Sequence, residues 1–172
     1  MNLKNLICEI PDFPKPGILF RDICPILANQ EALNNLINDL SSIAKDLRPD
    51  LIAGIESRGF IIGTPLAFAI RKGFVPIRKP GKLPGEIISI DYTLEYGEDK
   101  LEVQIDSFSE GARVLIIDDL LATGGTASSA IKLVERAGGK VIGCLFVVEL
   151  NNLCGRNLLP ENIPIISLIN YD

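Results

Sequence analysis

The sequence predicts an α/β fold whose mostly parallel central sheet is flanked by helices. Runs of aliphatic and β-branched residues alternate with segments of helical periodicity through the middle of the chain. This alternation is typical of parallel strands joined by helices. Several of the runs are apolar at consecutive positions, as in strands that are covered on both faces. The chain has 172 residues, a length that suits one domain, so we interpret residues 1–172 as a single domain.

The first part of the chain predicts an arm, a helix and a strand. Residues 9–25 contain four of the 11 prolines and predict an ordered but irregular arm. Apolar residues from Leu33 to Leu47 recur at helical spacing, with Asn29 as a candidate N-cap and Pro49 as the stop. Residues 51–55 (Leu-Ile-Ala-Gly-Ile) predict the next buried strand.

The remaining elements follow in order along the chain. A turn over residues 56–59 leads to a helix from about Phe60 to Lys72, with Pro65 near its start or at a kink. Residues 87–105 predict a β-hairpin or an extended excursion. Further strands are predicted over residues 74–77, 114–117, 141–148 and 163–168, and a further helix around residues 127–134.

Composition limits the possible functions. The formal net charge of -5 argues against a broad nucleic-acid-binding surface but not against a local phosphate site. We find no signal peptide and no apolar run long enough to span a membrane, so we expect a cytoplasmic protein without nucleic-acid or membrane partners. The chain has no histidine, which excludes Ser-His and Cys-His catalysis and most zinc sites. The four cysteines lack Cys-x-x-Cys spacing and predict free thiols.

The most informative segment runs from Val114 to Thr126 (Val-Leu-Ile-Ile-Asp-Asp-Leu-Leu-Ala-Thr-Gly-Gly-Thr). Its apolar run predicts a buried strand that ends in Asp118 and Asp119, at the sheet edge where open α/β folds bind ligands. The turn that follows lies at a helix start, whose partial positive charge favours phosphate. The segment therefore predicts a ribose 5-phosphate site, in which the acids accept hydrogen bonds from the sugar diol. The predicted phosphate-binding residues are Ala122, Thr123, Gly124, Gly125 and Thr126.

Two further segments predict anion contacts. Ser57 and Arg58 directly follow a buried strand, so they face the same sheet edge, and Arg58 can donate two hydrogen bonds to a phosphate. A solvated turn is the alternative, and these residues alone favour neither. Arg78, Lys79 and Lys82 lie close together among prolines and glycines. Because like charges repel, we interpret this cluster as a second anion contact.

Nucleotide hydrolysis by a P-loop protein is the main structural alternative to this interpretation, because such proteins also carry an apolar strand followed by acids. That class needs a Gly-x-x-x-x-Gly-Lys-Ser/Thr loop upstream, and the sequence has none. It also lacks a Gly-x-Gly-x-x-Gly run for a dinucleotide. We therefore set both functions aside.

The segment over residues 114–126 resembles the signature of the type I phosphoribosyltransferases, and other motifs narrow the resemblance. Together they are similar to the adenine phosphoribosyltransferases over nearly the whole chain. One departure is Glu56, where some members carry Asp. The motifs, in order, are Pro-Asp-Phe-Pro-x-Pro-Gly with Phe-Arg-Asp-Ile, Ser-Arg-Gly-Phe, Arg-Lys-x-Gly-Lys-Leu-Pro-Gly, Leu-Glu-Tyr-Gly, Asp-Asp-Leu-Leu-Ala-Thr-Gly-Gly-Thr, and the tail pieces Gly155-Arg156 and Ser167-Leu168-Ile169-x-Tyr171.

The resemblance implies a fold and a reaction. The fold is that of the type I phosphoribosyltransferases, with a small N-terminal base-binding arm (residues 1–27) and a mobile β-lid (residues 87–105). The reaction transfers the phosphoribosyl group of 5-phosphoribosyl 1-pyrophosphate (PRPP) to N9 of adenine, and it yields AMP and pyrophosphate in purine salvage. A non-proline cis peptide bond at Glu56–Ser57 is also implied.

The resemblance further implies roles for individual residues. Glu95, on the lid, and the acids Asp118 and Asp119 would be catalytic. Phe20 would stack on adenine, while main-chain groups near Leu19 and Arg21 would recognise its edge. Pyrophosphate would be bound by Ser57, Arg58, Arg78, Lys79 and Lys82, with Arg78 acting in its own subunit or in a partner's.

The resemblance also implies a cofactor and an assembly. Mg²⁺ would be held mainly by PRPP or pyrophosphate and by water, so that direct protein ligands are not required. The chain would form a homodimer.

Two other functions stay open. A phosphoribosyltransferase for hypoxanthine or xanthine usually reads the 6-oxo group with a cationic side chain, and no lysine here is clearly assigned to that role. A PRPP-sensing regulator without activity would normally add a DNA-binding domain or a basic RNA-binding face, and this chain has neither the length nor the charge. The presence of Glu95 and of the cations over residues 78–82 favours an enzyme.

Overall fold

The computed structural model describes residues 2–94 and 97–172. Short 3₁₀ helices lie at Leu3–Leu6, Asn151–Leu153 and Gly155–Leu158. In chain order, the strands and α-helices of the described residues are β1 (Cys8–Pro11), β2 (Leu19–Asp22), α1 (Cys24–Ala28), α2 (Gln30–Leu47), β3 (Leu51–Ile55), α3 (Arg58–Ile70), β4 (Gly73–Ile77), β5 (Ile87–Leu94), β6 (Gly97–Gln104), β7 (Arg113–Leu121), α4 (Gly125–Arg136), β8 (Lys140–Leu150) and β9 (Ile165–Tyr171).

The central sheet has five strands in the order β4-β3-β7-β8-β9, and every neighbouring pair is parallel. The predicted α/β class with a parallel sheet is therefore confirmed. Chain order reverses at β3, because β4 lies on one side of it and β7 on the other. In open α/β sheets a ligand crevice forms at such a reversal, outside the carboxyl ends of the strands. The strand order alone therefore predicts a ligand site at the carboxyl ends of β3 and β7.

The sheet is covered on both faces, as its continuous apolar runs predicted. Alternate residues of β7 enter different cores, with Ile116 in one and Leu115 and Ile117 in the other, as the two-residue period of a strand requires. One core is completed by α4 and by Leu101 and Val103 of β6. The other is completed by α1, α2 and α3. Burial on both faces holds the carboxyl end of β7 in a rigid setting.

Helix α2 begins and ends where the sequence predicted. The Asn29 side chain accepts a hydrogen bond from the Ala32 N–H at 3.0 Å, which satisfies one of the free N–H groups of the first turn. Arg48 adopts a left-handed conformation (φ 52°) and closes the last turn through its N–H, immediately before Pro49. Strand β3 occupies the predicted residues 51–55.

The arm is more regular than predicted. Strands β1 and β2 form an antiparallel ribbon that runs from the pair Cys8↔Asp22 to the pair Pro11↔Leu19, and α1 follows directly. The prolines shorten the strands but do not prevent pairing, because they fall at a strand end or in the connecting loop. Pro25 lies in the first turn of α1, where a missing N–H does no harm.

Strand β7 is longer than predicted. The sequence indicated a strand that ends at the acids, but β7 continues to Leu121 because β8 pairs with it as far as Leu121↔Glu149. Pairing with β3 stops earlier, at Gly54↔Ile117. Asp118 and Asp119 therefore lie inside a strand but beyond the point where its other neighbour has turned away.

Residues 87–105 contain an antiparallel hairpin, one of the two forms predicted. Strands β5 and β6 pair from Ile87↔Gln104 to Leu94↔Gly97. The base of the hairpin is anchored, since Leu101 and Val103 are fully buried and Glu102 pairs with Arg78 in an isolated antiparallel bridge. Glu95, which was predicted to be catalytic, lies outside the described residues. Among those described, no helix is both long and apolar enough to cross a membrane.

Candidate functional site

A cleft of about 310 Å³ opens at the carboxyl ends of β3 and β7. It combines the turn after β3, the end of β7, the loop before α4, and one residue that follows β4. Most of the phosphate-, pyrophosphate- and ribose-binding residues predicted from the sequence are brought together here. They are Ser57, Arg58, Lys79, Asp118, Asp119, Ala122, Thr123, Gly124 and Thr126.

The two acids of β7 differ in their surroundings. Asp119 is only 5% exposed and forms an ion pair with Arg58 at the start of α3. Asp118 is half-buried, and one of its oxygens accepts the Asp119 N–H at 2.9 Å. Burial raises the pKa of the Asp118 carboxyl well above its ordinary value, and the neighbouring charge of Asp119 raises it further. The pair therefore favours the binding of hydroxyl or cationic groups, which relieve the repulsion between the two carboxylates.

The loop over residues 122–126 presents the N-terminus of α4 to the cleft. Helix α4 begins at Gly125, and its N-cap Gly124 has a φ of 85° and no side-chain cap hydrogen bond. N–H groups in the first turn of a helix lack intrahelical partners, and together with the helix dipole they attract anions. Thr123 and Thr126 flank this helix start with hydroxyl groups. The geometry suits a phosphate, as the sequence predicted.

Gly155 was missed as a site residue, although it appeared in the tail motif. A Cβ added to Gly124 would lie 2.2 Å from the Gly155 carbonyl oxygen, and a Cβ added to Gly155 would lie 2.2 Å from the Ala122 carbonyl oxygen. The loop is therefore packed against Gly155 at backbone contact. Arg156, next in the chain, donates two hydrogen bonds to Glu149 at 2.6 and 2.7 Å and so attaches this support to the end of β8.

Glu56 is the second residue whose role was missed. Its carboxylate, 9% exposed, receives the Arg78 guanidinium at 3.3 Å, the Lys79 N–H at 2.8 Å and the Lys82 ammonium. Burial by itself would raise the pKa of Glu56, but these hydrogen bonds, led by that of Lys82, outweigh it and lower the pKa from 4.5 to about 2. The predicted cation cluster thus gathers around an internal anion. The unusual density of cations over residues 78–82 was the available signal.

The segment over residues 78–82 has a second acidic anchor. The Gly81 N–H donates to Glu102 Oε2 at 2.9 Å, and main-chain groups of Arg78 and Glu102 exchange hydrogen bonds at 2.8 and 2.9 Å. Glu102 is buried and belongs to β6. The cations are therefore connected to both the turn after β3 and the base of the hairpin.

The turn after β3 has the implied backbone. The Glu56–Ser57 peptide bond is cis. Gly59 lets the start of α3 approach β7 closely, because a Cβ there would lie 2.8 Å from the Ile117 carbonyl oxygen and 3.2 Å from Asp118 Oδ1. A larger residue would separate Arg58 from the acids.

The arm presents one aromatic residue beside the cleft. The Arg58 guanidinium carbon lies 5.4 Å from the centre of the Phe20 ring, and Phe13 packs edge-on against Phe20 at 5.2 Å. Leu19 is 42% exposed. The Arg21 side chain is directed elsewhere, onto Tyr171, which leaves its main chain as the group beside Phe20. Within the described part of the chain, no group of three or more acidic or cysteine side chains could hold a metal ion.

Comparison with known proteins agrees with this geometry. A family model described as a phosphoribosyl transferase domain matches residues 26–158. An adenine phosphoribosyltransferase of Prochlorococcus marinus (strain MIT 9313) is 56% identical over 171 residues, which is 99% of each chain. Among solved structures, the adenine phosphoribosyltransferase of Thermoanaerobacter pseudethanolicus is 51% identical and superposes with a TM-score of 0.95 over 98% of both chains.

A eukaryotic structure extends the likeness. The adenine phosphoribosyltransferase of Saccharomyces cerevisiae, solved with D-2,5-dideoxy-2,5-imino-altritol 1,6-bisphosphate and adenine, is 42% identical with a TM-score of 0.90 over 96% of both chains. Identity above half over full length, a matching family model and near-superposable structures agree with the cleft built from the residues themselves. The chain belongs to the adenine phosphoribosyltransferase family.

Proposed function

We propose that the chain is an enzyme that transfers the 5-phosphoribosyl group from PRPP to N9 of adenine, forming AMP and pyrophosphate in purine salvage. One observation carries the proposal: one cleft combines paired acids, an uncapped helix N-terminus and the cations Arg58 and Lys79, and the half-buried ring of Phe20 lies beside Arg58. A ribose, its 5-phosphate, a pyrophosphate and a planar base need these four features. The yeast relative bound to adenine supports the choice of base.

The ribose and its phosphate would occupy the part of the cleft between the acids of β7 and the start of α4. The N–H groups and hydroxyls of Ala122, Thr123, Gly124, Gly125 and Thr126 would bind the 5-phosphate at the start of α4. Asp118 and Asp119 would accept hydrogen bonds from the two ribose hydroxyls. As pyrophosphate leaves, the anomeric carbon becomes cationic, and the same two carboxylates would stabilise that charge.

Arg58 would change partners when PRPP binds. In the structure it is paired with Asp119, so neither group is fully available to the substrate. Pyrophosphate carries more negative charge than one carboxylate and would compete for the guanidinium. When Arg58 pairs with pyrophosphate, the Asp119 oxygens would become available to the ribose diol. Binding of the pyrophosphate and binding of the ribose would therefore favour each other.

The leaving group would be neutralised by cations that the protein already holds together. The side chains of Arg78 and Lys82 contact the Glu56 carboxylate, and Lys79 donates its N–H to the same carboxylate and lines the cleft. Their excess positive charge, with Ser57 and Arg58, would bind pyrophosphate. Because Glu56 keeps the cations assembled, their mutual repulsion need not be overcome when PRPP arrives.

Mg²⁺ is proposed as the cofactor. The acids of the cleft fit a supporting role only, because Asp119 is paired with Arg58 and the described residues offer no cluster of three metal ligands. The ion would then be held mainly by PRPP or pyrophosphate oxygens and water, where it would supply further neutralisation of the leaving group.

Adenine would bind against the arm. Phe20 would stack on the ring, and main-chain groups near Leu19 and Arg21 would hydrogen-bond the edge of the base. Glu95, by family resemblance, would accept the N7 proton while N9 becomes nucleophilic. Closure of the lid over residues 87–105 would exclude water, which could otherwise capture the ribosyl cation.

We further propose a cytoplasmic homodimer of one domain, residues 1–172, with the arm over residues 1–27. All four cysteines are free thiols, as in a reducing compartment. Helix α3 exposes Ile61 and Phe68, the latter 86% exposed, and residues seven apart lie on one helix face. A second copy would cover this face. Phe68→Asp is expected to shift the protein toward monomer in sedimentation experiments, and an unchanged dimer would remove α3 from the interface.

The experiment that tests the reaction mixes purified protein with PRPP, Mg²⁺ and, separately, adenine, hypoxanthine, guanine or xanthine. AMP formed from adenine alone is the expected result. Turnover with a different base would keep the site chemistry but overturn the choice of base. PRPP binding without any turnover would overturn the enzymatic role and favour a PRPP sensor.

A further inference from the structure

Two cations of the N-terminal region lie on one aromatic ring at the end of the sheet. The Arg21 guanidinium carbon is 4.0 Å from the centre of the Tyr171 ring, and the Lys4 ammonium is 4.3 Å from the same centre. Lys4 also donates to the Asn170 carbonyl oxygen at 2.7 Å. Both distances are well within the range of favourable cation–π contacts. Tyr171 is the last residue of β9. This strand lies at one edge of the sheet, and in the sequence it is distant from the proposed phosphate site.

Arg21 follows Phe20, and neighbouring residues of a strand point to opposite faces. The two side chains of β2 obey this rule: Phe20 meets Arg58 beside the cleft, while Arg21 meets Tyr171. A shift of Arg21 would therefore move Phe20 through the same piece of backbone. The Tyr171 ring is thus linked, through Arg21 and the backbone of β2, to the Phe20 ring beside the cleft.

Arg21 also joins the two strands of the arm. It pairs across the ribbon with Glu9 in the β1–β2 register, and the two side chains form an ion pair. Only 12% of the Arg21 side chain is exposed, against 55% for Glu9. One guanidinium thus connects β1, β2 and β9.

The ribbon needs such an attachment. All four residues of β1 are exposed, and isolated two-stranded ribbons are marginally stable in water. A contact with the end of the sheet restricts the ribbon at the point where the base would bind.

We propose that Tyr171 is a positioning residue for the purine, which acts by holding Arg21 and hence Phe20 at the cleft. The inference rests on the proposed function and adds to it a residue that does not touch the substrate. If the contact between Arg21 and Tyr171 holds only the arm, its loss should lower the affinity for the base. The affinity for PRPP should not change, because PRPP would bind at the sheet edge. A contact that merely stabilises the fold would affect both substrates through the fraction of folded protein.

The test measures KM for adenine, kcat, PRPP affinity and melting temperature for Tyr171→Leu and for the matched control Tyr171→Phe, which keeps the ring. Tyr171→Leu is expected to raise KM for adenine roughly tenfold, with kcat and the Kd for PRPP changed by less than about twofold. Tyr171→Phe is expected to behave as the unsubstituted protein.

A second variant tests the same contact from the other side. Arg21→Gln keeps the main chain and the Tyr171 ring but removes the cation, so it serves even if Tyr171→Leu does not fold. If the two residues act through one contact, the double variant Arg21→Gln/Tyr171→Leu should raise KM for adenine no further than the single variant with the larger effect. Additive losses would overturn the coupling.

Three further results would overturn the proposal: an unchanged KM for adenine in Tyr171→Leu, an equal loss of PRPP affinity, or an equal loss in Tyr171→Phe. Failure of the proposed function has a different signature, since the unsubstituted protein would then form no AMP. Normal AMP formation with unaltered adenine affinity in Tyr171→Leu refutes only the positioning role.

Discussion

The cleft at the sheet edge and the arm beside it are built in opposite ways. The cleft is formed by the ends of central strands and by backbone in contact with backbone, with Asp119 almost completely buried. The arm is a two-stranded ribbon whose first strand is exposed throughout and whose attachment includes the cation–π contact between Arg21 and Tyr171. We infer that recognition of the sugar phosphate is built into the core, whereas recognition of the base depends on a peripheral element that can vary independently.

The largest effect is expected at the acids of the cleft. Asp118→Asn/Asp119→Asn removes the charge that we propose stabilises a cationic sugar, so kcat/KM should fall on the order of 10³-fold. Steady-state AMP formation measures the change. The matched control is Asp39→Asn/Asp46→Asn, two exposed acids of α2, for which no change is expected. A cleft double variant that keeps most of its activity would show that the ribose site has been assigned wrongly.

A smaller loss is expected when the support of the phosphate loop is disturbed. Gly124→Ala would bring a methyl group within 2.2 Å of the Gly155 carbonyl oxygen, and displacement of the loop should lower kcat/KM for PRPP roughly 10²-fold. Gly111 also has a positive φ, but a Cβ there meets nothing within 4 Å. Gly111→Ala therefore carries the conformational strain without the clash. Equal kinetic losses in the two variants would refute the backbone contact as a determinant of PRPP binding.

In the arm, Phe20→Leu is expected to separate the two substrates. Loss of base stacking should raise KM for adenine roughly tenfold, while PRPP affinity, measured by equilibrium binding, stays unchanged. The variant keeps an apolar residue, so the pairing of β1 with β2 is preserved. If PRPP affinity falls in parallel, the two regions are not independent and the comparison fails.

The smallest effect concerns stability in acid. The pKa of Glu56 is lowered from 4.5 to about 2 in the folded protein, so its contribution to stability is complete above pH 4.5 and is lost as the pH falls toward 2. Glu56→Gln should therefore lower the melting temperature at neutral pH and flatten its decline across that acidic range. Glu56→Asp keeps the carboxylate and should retain most of the decline. Identical pH profiles for all three proteins would mean that the cation cluster does not depend on this charge.

Features with a local cause were predictable. The strand at Leu51–Ile55 and the Asn29 cap of α2 were predicted at the residues where they occur, because periodicity and capping operate within a few positions. The turn over residues 122–126 was recognisable for the same reason, since its strand, acids, glycines and helix follow one another directly. The arm was predicted less well: local proline content indicated irregular chain, but cross-strand pairing formed between the prolines.

Contacts between distant segments were not predictable from the residues. The ion pair between Arg58 and Asp119 spans 61 positions, and nothing in either segment identifies the other as its partner. The cation cluster was predicted to contact a bound anion, and only the structure identified Glu56 as a partner within the protein. Gly155 and Tyr171 were recognised as parts of a motif, but the motif did not indicate which residues they contact.

The sequence by itself determined the α/β class, the strand–turn–helix order around residues 122–126 and the family resemblance, because these depend on short-range order along the chain. Tertiary structure decided which segments meet. The strand order β4-β3-β7-β8-β9 brings the ends of β3 and β7 together and carries β9 to the arm, since burial of both sheet faces allows few other arrangements. Pairings such as Arg58 with Asp119 and Arg21 with Tyr171 follow from that arrangement, because a charge or a ring acts on whatever lies within a few ångströms, however far away it is in the chain.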